Sequence, residues 1–136
     1  MFIKVVGGII KKEDRYLIGR RGPKEKMAGF WEFPGGKLEE NESKKECIKR
    51  ELKEELDVVV VVGELISEYQ YSYSDISYHL YFYRIDDFIG EPIPIVHDRL
   101  IWAKSNDFKK YNFLPGDNPL IDLMLNNKVW INWKKL

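Results

Sequence analysis

The sequence predicts a single α/β (α+β) domain, in which a mixed β-sheet is covered by helices on its faces. Its 136 residues suit one domain with one genuine core. Runs of β-branched and aromatic residues typical of strands make up most of the chain, and segments of helical character interrupt them. No repeat or linker breaks the pattern. We therefore expect one domain over residues 1–136, with residues 126–136 as a C-terminal extension.

Charge and cysteine content exclude several classes of function. Lys and Arg together number 22, and so do Asp and Glu, so the formal net charge is zero. That balance gives no overall attraction to a nucleic acid polymer or to an anionic membrane, so phosphate recognition must be local. Cys47 is the only cysteine, which excludes an internal disulfide and favours a reducing, cytoplasmic setting. No apolar run suits a signal peptide or a membrane span.

The first part of the chain is typical of a hairpin followed by a loop. Phe2–Ile10 and Tyr16–Arg20 are strand-like and flank a charged turn. The pair Gly7–Gly8 indicates either a bulge or a close backbone approach. Glycine, proline and mixed charge predict a loop at Arg21–Gly29. A short aromatic strand then ends at Pro34, because proline cannot donate to a sheet ladder.

A helix follows, and its start has a recognisable signal. Asn41 or Ser43 is the predicted N-cap, and Glu46 stands three residues after Ser43, as in a capping box. One face of this helix is apolar and predicts burial against the sheet, with lysines elsewhere. Its members are Cys47, Ile48, Leu52 and Leu56.

The central part of the chain predicts a long hairpin. An aliphatic run begins at Val58 and continues as a strand to Tyr73, a turn is expected at Ser74-Asp75, and Ser77–Ile85 returns. Alternate residues of a strand share one face of the sheet. The residues that share a face are Tyr69, Tyr71 and Tyr73 on the first strand, and Tyr78, Leu80 and Phe82 on the second. For most of the tyrosines among them, packing within the sheet is favoured over stacking on a ligand.

The remaining segments are shorter. Asp86–Pro94 is expected to be a loop, Leu100–Ala103 a short strand and Asn106–Lys109 a helical turn. Asp117 is a plausible N-cap for a final helix over Pro119–Leu125.

Three glutamates on the central helix indicate a cation site. At about 100° per residue, Glu51, Glu54 and Glu55 fall within roughly 100° of arc on one face. Like charges this close repel one another, and a bound cation relieves the repulsion. Oxygen ligands favour Mg²⁺ or Mn²⁺ over zinc. A divalent cation held by carboxylates is in turn a common partner of substrate phosphates.

The spacing around these glutamates resembles the Nudix box, G-x5-E-x7-R-E-U-x-E-E-x-G-U, where U is aliphatic. Here the matching stretch is GGKLEENESKKECIKRELKEELDV. Asp57 alone departs, standing where the family has its second glycine, and Asp tolerates the left-handed geometry of a helix end. The alternative interpretation is a solvated acidic helix in which Arg50 pairs with Glu54. Six polar or glycine positions of the Nudix box match this sequence at the required spacing, and a match of that length is hard to explain by chance.

The resemblance covers nearly the whole chain. MAGFWEFPGGKLE is similar to the entry of the box in MutT-type members and more so in CTP pyrophosphohydrolase-like ones. WAKSNDFKKYNFLPGDNPLIDLM is similar to their C-terminal signature. The resemblance implies an α/β/α sandwich around a mixed sheet. It also implies hydrolysis of nucleoside triphosphates to the monophosphate and pyrophosphate.

The resemblance also implies roles for the residues of the box. Glu51, Glu54 and Glu55 would bind the metal and supply the base, with the Gly35 carbonyl as a further ligand, and which glutamate acts as base stays open. Arg50 would orient the glutamates by hydrogen bonding. The glutamate of the loop before the helix, Glu42, ties loop to helix.

The predicted substrate contacts lie outside the helix. Arg21 and Lys26 precede the box and suit the clamping of phosphates, with a solvated loop cation as the alternative for Lys26. Phe33 and Tyr73 are expected to border the base. Asp117 occupies the position that reads the base edge in the relatives, with helix capping as its competing role. An Asp rather than an Asn there leaves cytosine nucleotides, or a broader range than 8-oxoguanine, open.

One expected ligand is missing. MutT-type enzymes often place another metal-binding glutamate six residues before the late tryptophan, and counting back from Trp102 gives Val96, which cannot bind metal. Either Asp98 substitutes for it, or the helix glutamates act alone. His97 is interpreted as a hydrogen-bonded structural residue and His79 as a packing residue.

The sequence therefore predicts a Mg²⁺-dependent hydrolase of (deoxy)nucleoside triphosphates, with Mn²⁺ as a possible substitute. The alternatives are a hydrolase of another nucleoside diphosphate derivative and a nucleotide-binding module without turnover. The preferred base and sugar, the choice between monomer and homodimer, and the role of Trp130 and Trp133 in the tail stay open.

Overall fold

The computed structural model describes residues 2–126, which contain seven strands and two α-helices. Two short 3₁₀ segments, Ser105–Lys110 and Pro115–Asp117, precede the second helix. The strands and helices are β1 Ile3–Lys12, β2 Arg15–Arg21, β3 Trp31–Glu32, β4 Gly35–Lys37, α1 Lys44–Leu56, β5 Val59–Tyr73, β6 Ile76–Ile89, β7 His97–Lys104 and α2 Asn118–Leu125.

The sheet is mixed, as the sequence predicts. β1 pairs parallel with β6 and antiparallel with β2 and β4. β5 pairs antiparallel with β6, and β2 pairs antiparallel with both β3 and β7. A parallel pair needs a crossover rather than a tight turn, and α1 lies within the chain that connects β1 to β6.

Helices cover both faces of the sheet, so the predicted architecture is confirmed. On one face, the four predicted apolar residues of α1 are fully buried against strands β1, β2, β5 and β6. On the other face, α2 and the segment Ser105–Lys110 pack over a core rich in aromatic rings.

The ends of α1 match their sequence signals. The Ser43 hydroxyl accepts a hydrogen bond from the Glu46 N–H, and the Glu46 carboxylate accepts one from the Ser43 N–H, which completes the capping box. Ser43 rather than Asn41 is thus the N-cap. Asp57 ends the helix in the left-handed region, at φ 56°, and its N–H donates to the Lys53 carbonyl. The Asp in place of the family glycine is therefore accommodated there.

Other predictions were wrong because strand pairing between distant segments decided the structure. The expected loop at Asp86–Pro94 is strand as far as Ile89, since this stretch pairs with Val59–Val61 of β5. The box glycines, for which the sequence indicates no strand, lie in β4, which pairs with β1. At Gly7 the β1–β6 register is unbroken, so of the two alternatives the close approach is right: a Cβ there would lie 2.8 Å from the Phe82 ring.

Within the described residues, no helix is long and apolar enough to cross a membrane. The question raised for Trp130 and Trp133 lies outside the residues that the structure describes.

Candidate active site

Arg50 is the centre of a charged network on α1. Its Nη1 donates to Glu51 at 2.9 Å and to Glu54 at 3.0 Å. Its Nε and Nη2 donate to the two carboxylate oxygens of Glu42, at 3.0 and 2.7 Å. These hydrogen bonds from Arg50, with one from the Glu39 N–H, lower the pKa of Glu42 to about 2. Glu42 thus ties the loop to the helix, as the sequence suggests.

Glu55 has a different environment from its neighbours. Its side chain is largely buried, and its Oε1 is a buried polar atom without a hydrogen-bond partner among residues 2–126. Burial raises the pKa of Glu55 well above its ordinary range, and the charges of Glu32 and Glu51 raise it further. A buried carboxylate with an unpaired oxygen is costly, and a cation bound there would offset that cost.

The two box glycines allow strand β4 to approach its neighbours closely. A Cβ on Gly36 would overlap with the carboxylate of Glu51, and a Cβ on Gly35 would overlap with the Val6 carbonyl of β1. Glycine at both positions therefore lets the backbone of β4 lie directly against a helix carboxylate and against β1.

A cavity of about 650 Å³ is lined by Gly35, Gly36 and residues of the sheet and the loops beside it. The three glutamates of α1 do not line it, although the Glu51 carboxylate lies against Gly36. It brings together every substrate residue predicted from the sequence, namely Arg21, Lys26, Phe33, Tyr73 and Asp117. Its wall also includes residues that sequence reasoning missed, namely Met27, Glu32, Lys37, Ile76 and Leu114, and the tyrosines assigned to packing, Tyr71 and Tyr78.

Asp117 lines this cavity and is buried. Its Oδ2 accepts a hydrogen bond from the Phe33 N–H at 3.0 Å, and its side chain makes no capping bond to α2. Asp117 is thus the N-cap residue of α2, as predicted, but its carboxylate turns towards β3 and does not cap the helix. Burial raises the pKa of Asp117 to about 8, although the Phe33 N–H acts in the opposite direction.

Arg21, at the end of β2, also lines the cavity. Its Nε donates to the Lys26 carbonyl at 2.6 Å, which holds the loop against the end of β2. Its Nη1 donates to Glu32 at 3.0 Å. The Tyr73 hydroxyl lies 3.6 Å from the Met27 sulfur, so the same loop also contacts the tip of the β5–β6 hairpin.

Comparison with known proteins decides the family. A family model described as NUDIX domain matches residues 5–123. This chain belongs to the Nudix family.

Individual relatives agree with this assignment. The chain is 34% identical over 123 residues to a CTP pyrophosphohydrolase of Escherichia coli, covering 90% of this chain and 91% of that protein. It is 31% identical over 125 residues to an 8-oxo-dGTP diphosphatase of Haemophilus influenzae, covering 91% and 92%. The solution structure of the E. coli ORF135 protein, 32% identical, superposes with a TM-score of 0.84 and covers 96% of this chain and 93% of that one. The protein is a Nudix hydrolase, an enzyme that acts on acid anhydrides.

The chemistry of the Nudix box suits the divalent cation that these hydrolases generally use. The available donors are carboxylate and carbonyl oxygens, and the unpaired Oε1 of Glu55 is the strongest sign of a cation position. Among residues 2–126, however, no three His, Cys, Asp or Glu side chains are grouped closely enough to form a ready-made metal site. Arg50 holds Glu51 and Glu54, so a cation would compete with its guanidinium for them.

The segment with the missing ligand lies beside α1. The Ile95 N–H donates to the Glu55 carbonyl at 3.1 Å, which brings Val96 next to the end of the helix. Asp98 is held by Arg20, with Nε to Oδ1 at 2.7 Å, and its carboxylate is thereby engaged elsewhere. His97 is buried and its Nε2 lies 2.8 Å from Glu32, in agreement with the hydrogen-bonded role expected for it. His79 stacks on Tyr81, as a packing residue should.

Proposed function

We propose that this Nudix hydrolase is a Mg²⁺-dependent pyrophosphohydrolase of (deoxy)nucleoside triphosphates, including oxidised or modified ones, that releases the monophosphate and pyrophosphate in the cytoplasm. The observation that carries the proposal is the cavity itself. Its lining combines the box glycines Gly35 and Gly36 with two cations, Arg21 and Lys26, and with buried Asp117 beside aromatic residues. The cations suit the phosphates of a nucleotide, and a buried polar group among aromatic rings suits its base.

The residues divide the reaction between them. Glu51, Glu54 and Glu55, with the Gly35 carbonyl, would hold the cation, and one of the glutamates accepts the proton of the attacking water. When bound, the cation neutralises phosphate charge and lowers the pKa of a coordinated water. Arg50 keeps the carboxylates in place through its hydrogen bonds.

Base recognition is assigned to Asp117 and Phe33. The Phe33 N–H occupies Oδ2, so Oδ1 is the oxygen left to face a base. When the Asp117 side chain is ionised, Oδ1 accepts a hydrogen bond from an exocyclic amine of the base. When the side chain is protonated, Oδ1 donates a hydrogen bond to a ring nitrogen or carbonyl. Cytosine offers both kinds of partner on one edge. We therefore infer that CTP or dCTP, the substrate class named for one relative, and 8-oxo-dGTP, named for others, are the substrates to test first.

The test is pyrophosphate release from a panel of CTP, dCTP, dGTP, 8-oxo-dGTP and one nucleoside diphosphate sugar, with and without Mg²⁺. We expect Mg²⁺-dependent release from at least one triphosphate, and a changed order of preference in Asp117→Asn and Asp117→Ala. Glu54→Gln should abolish the turnover while the thermal unfolding temperature stays within a few degrees. Nucleotide binding without turnover on any member would refute the proposal.

A further inference from the structure

Glu32 lines the same cavity as Arg21 and Asp117, and the Nudix box gives it no role. Its side chain is 14% exposed. The next residue, Phe33, donates its N–H to the Asp117 carboxylate at 3.0 Å.

Both carboxylate oxygens of Glu32 are engaged by other side chains. Oε1 accepts a hydrogen bond from Arg21 Nη1 at 3.0 Å, and Oε2 lies 2.8 Å from His97 Nε2. The His97 side chain is 1% exposed. Glu32 is thus fixed at both oxygens, to the end of β2 on one side and to the start of β7 on the other.

His97 reaches Glu32 across strand β2, and Gly19 provides the space. β7 pairs along the full length of β2, whereas β3 pairs with β2 only at Gly19 and Arg20. The side chains of His97 and Glu32 meet over Gly19, which is the register partner of Glu32. A Cβ at Gly19 would lie 2.5 Å from Cδ2 of the His97 ring, so any other residue there would displace the ring.

Arg21 is the residue that this arrangement fixes. Its Nε donates to the Lys26 carbonyl and its Nη1 to Glu32, so two of its three nitrogens have fixed partners. Its Nη2 makes no hydrogen bond within residues 2–126, and Arg21 lines the cavity. A planar guanidinium held in this way is ready to bind phosphate oxygens with little loss of freedom.

We propose that Glu32 is a positioning residue. His97 holds Glu32 in the space above Gly19, and Glu32 in turn orients the Arg21 guanidinium towards the phosphates of the substrate. The proposal rests on the proposed function, because it assumes that the cavity binds a polyphosphate. Glu32 contributes to substrate affinity through Arg21 rather than by touching the nucleotide.

The first test is Glu32→Gln, which keeps the size of the side chain and removes its charge. We expect KM for the best triphosphate to rise about 10-fold, the usual effect of losing a charged partner, with kcat changed less than about 3-fold. Asp86→Asn is the matched control, because Asp86 also pairs with an arginine of the sheet, Arg84 at 2.6 Å, and neither residue lines the cavity. It should leave KM unchanged even where it lowers stability. An unchanged KM in Glu32→Gln would contradict the proposal.

A double-mutant cycle separates positioning from direct contact. If Glu32 acts through Arg21, Arg21→Ala and Arg21→Ala/Glu32→Gln should have the same KM. A further rise in the double variant would overturn the proposal, since it would mean that Glu32 acts on the substrate by another route. His97→Phe and Gly19→Ala should each raise KM in the same direction as Glu32→Gln, because each loosens the hold on Glu32.

Pyrophosphate binding distinguishes failure of this inference from failure of the proposed function. Calorimetric titration with pyrophosphate needs no turnover, and Glu32→Gln and Arg21→Ala should both weaken its binding relative to Asp86→Asn. If the wild-type protein hydrolyses no nucleotide but this order of affinities holds, the function is wrong and the positioning role stands. If the wild-type protein turns over and Glu32→Gln binds pyrophosphate normally, the positioning role is wrong.

Discussion

The glutamates of α1 are held by neighbours in sequence, whereas the region around Asp117, to which we assign the base, is assembled from distant segments. Arg50 contacts Glu42 and Glu54, which lie eight and four positions from it. In the other region, the Phe33 N–H and the Asp117 carboxylate are 84 positions apart. The first set of contacts depends on one helix and its preceding loop, and the second exists only when the sheet and α2 have packed. Chemistry and specificity should therefore respond to different substitutions.

The largest expected effect is at Glu55. Glu55→Gln removes a buried carboxyl group whose Oε1 lacks a partner within residues 2–126, so kcat should fall about 10²- to 10⁴-fold. Without Mg²⁺, the free energy of unfolding at neutral pH should rise, because the amide is buried without the proton uptake that the raised pKa of Glu55 imposes on folding. Steady-state kinetics and urea denaturation check both parts, with the exposed Glu64→Gln as control. Turnover that survives in Glu55→Gln would remove this residue from the metal site.

Arg50→Lys should have the next largest effect. Lysine cannot reproduce the paired hydrogen bonds to Glu42 and still contact Glu51 and Glu54. We expect kcat to fall about 10- to 100-fold, as for loss of a group that orients metal ligands. Lys53→Ala on the same helix breaks only the exposed pair with Asp57, and it should change stability by less than about 1 kcal/mol with no change in kcat. Equal kinetics for the two variants would show that Arg50 does not organise the carboxylates.

In the region assigned to the base, the effect of pH on stability tests whether Asp117 is protonated. Because its pKa in the folded protein is raised from 3.8 to about 8, the folded state keeps a proton that the unfolded state loses between those values. The free energy of unfolding should therefore fall as pH rises from about 4 to about 8, by up to about 1.4 kcal/mol per pH unit for this proton. Asp117→Asn should remove that part of the slope, whereas the exposed Asp122→Asn should not. Urea denaturation at pH 5 to 8 measures it, and identical slopes would mean an ionised Asp117.

The smallest effect is expected at the end of α1. Asp57→Gly restores the residue that the family pattern has at this position. Glycine is favoured at φ 56°, but the substitution loses the contact with Lys53 and increases the freedom of the unfolded chain. The free energy of unfolding should change by less than about 1 kcal/mol, with kcat unaffected. A larger change in either quantity would show that Asp57 does more than end the helix.

The contrast between contacts close in sequence and contacts distant in sequence also explains which features the sequence predicts well. The capping box at Ser43, the buried face of α1 and the left-handed Asp57 depend on residues within a few positions of one another, so the local pattern is enough. The extension of β6 to Ile89 could not be predicted, because it depends on pairing with Val59–Val61. The burial of Asp117 against Phe33 likewise depends on how α2 packs on the sheet.

Glu32 was missed for a related reason. In sequence it is one acidic residue in an aromatic strand, with nothing beside it to indicate a partner. Its importance appears only when β7 brings His97 across Gly19 and the loop brings Arg21 to its other oxygen. By contrast, Arg21, Lys26, Phe33 and Asp117 were predicted as substrate contacts because family resemblance supplied the long-range information that local pattern lacks, and all four line the cavity.

The most direct test of the account compares kcat/KM across CTP, dCTP, dGTP and 8-oxo-dGTP for the wild-type protein, Glu55→Gln and Asp117→Asn. If the helix carboxylates perform the chemistry and Asp117 reads the base, Glu55→Gln lowers all four values by a similar factor and keeps their order. Asp117→Asn should instead change the ratios between bases by about 10-fold or more while the Mg²⁺ requirement stays the same. A uniform loss in Asp117→Asn, or a changed order in Glu55→Gln, would contradict the division of the site into these two regions.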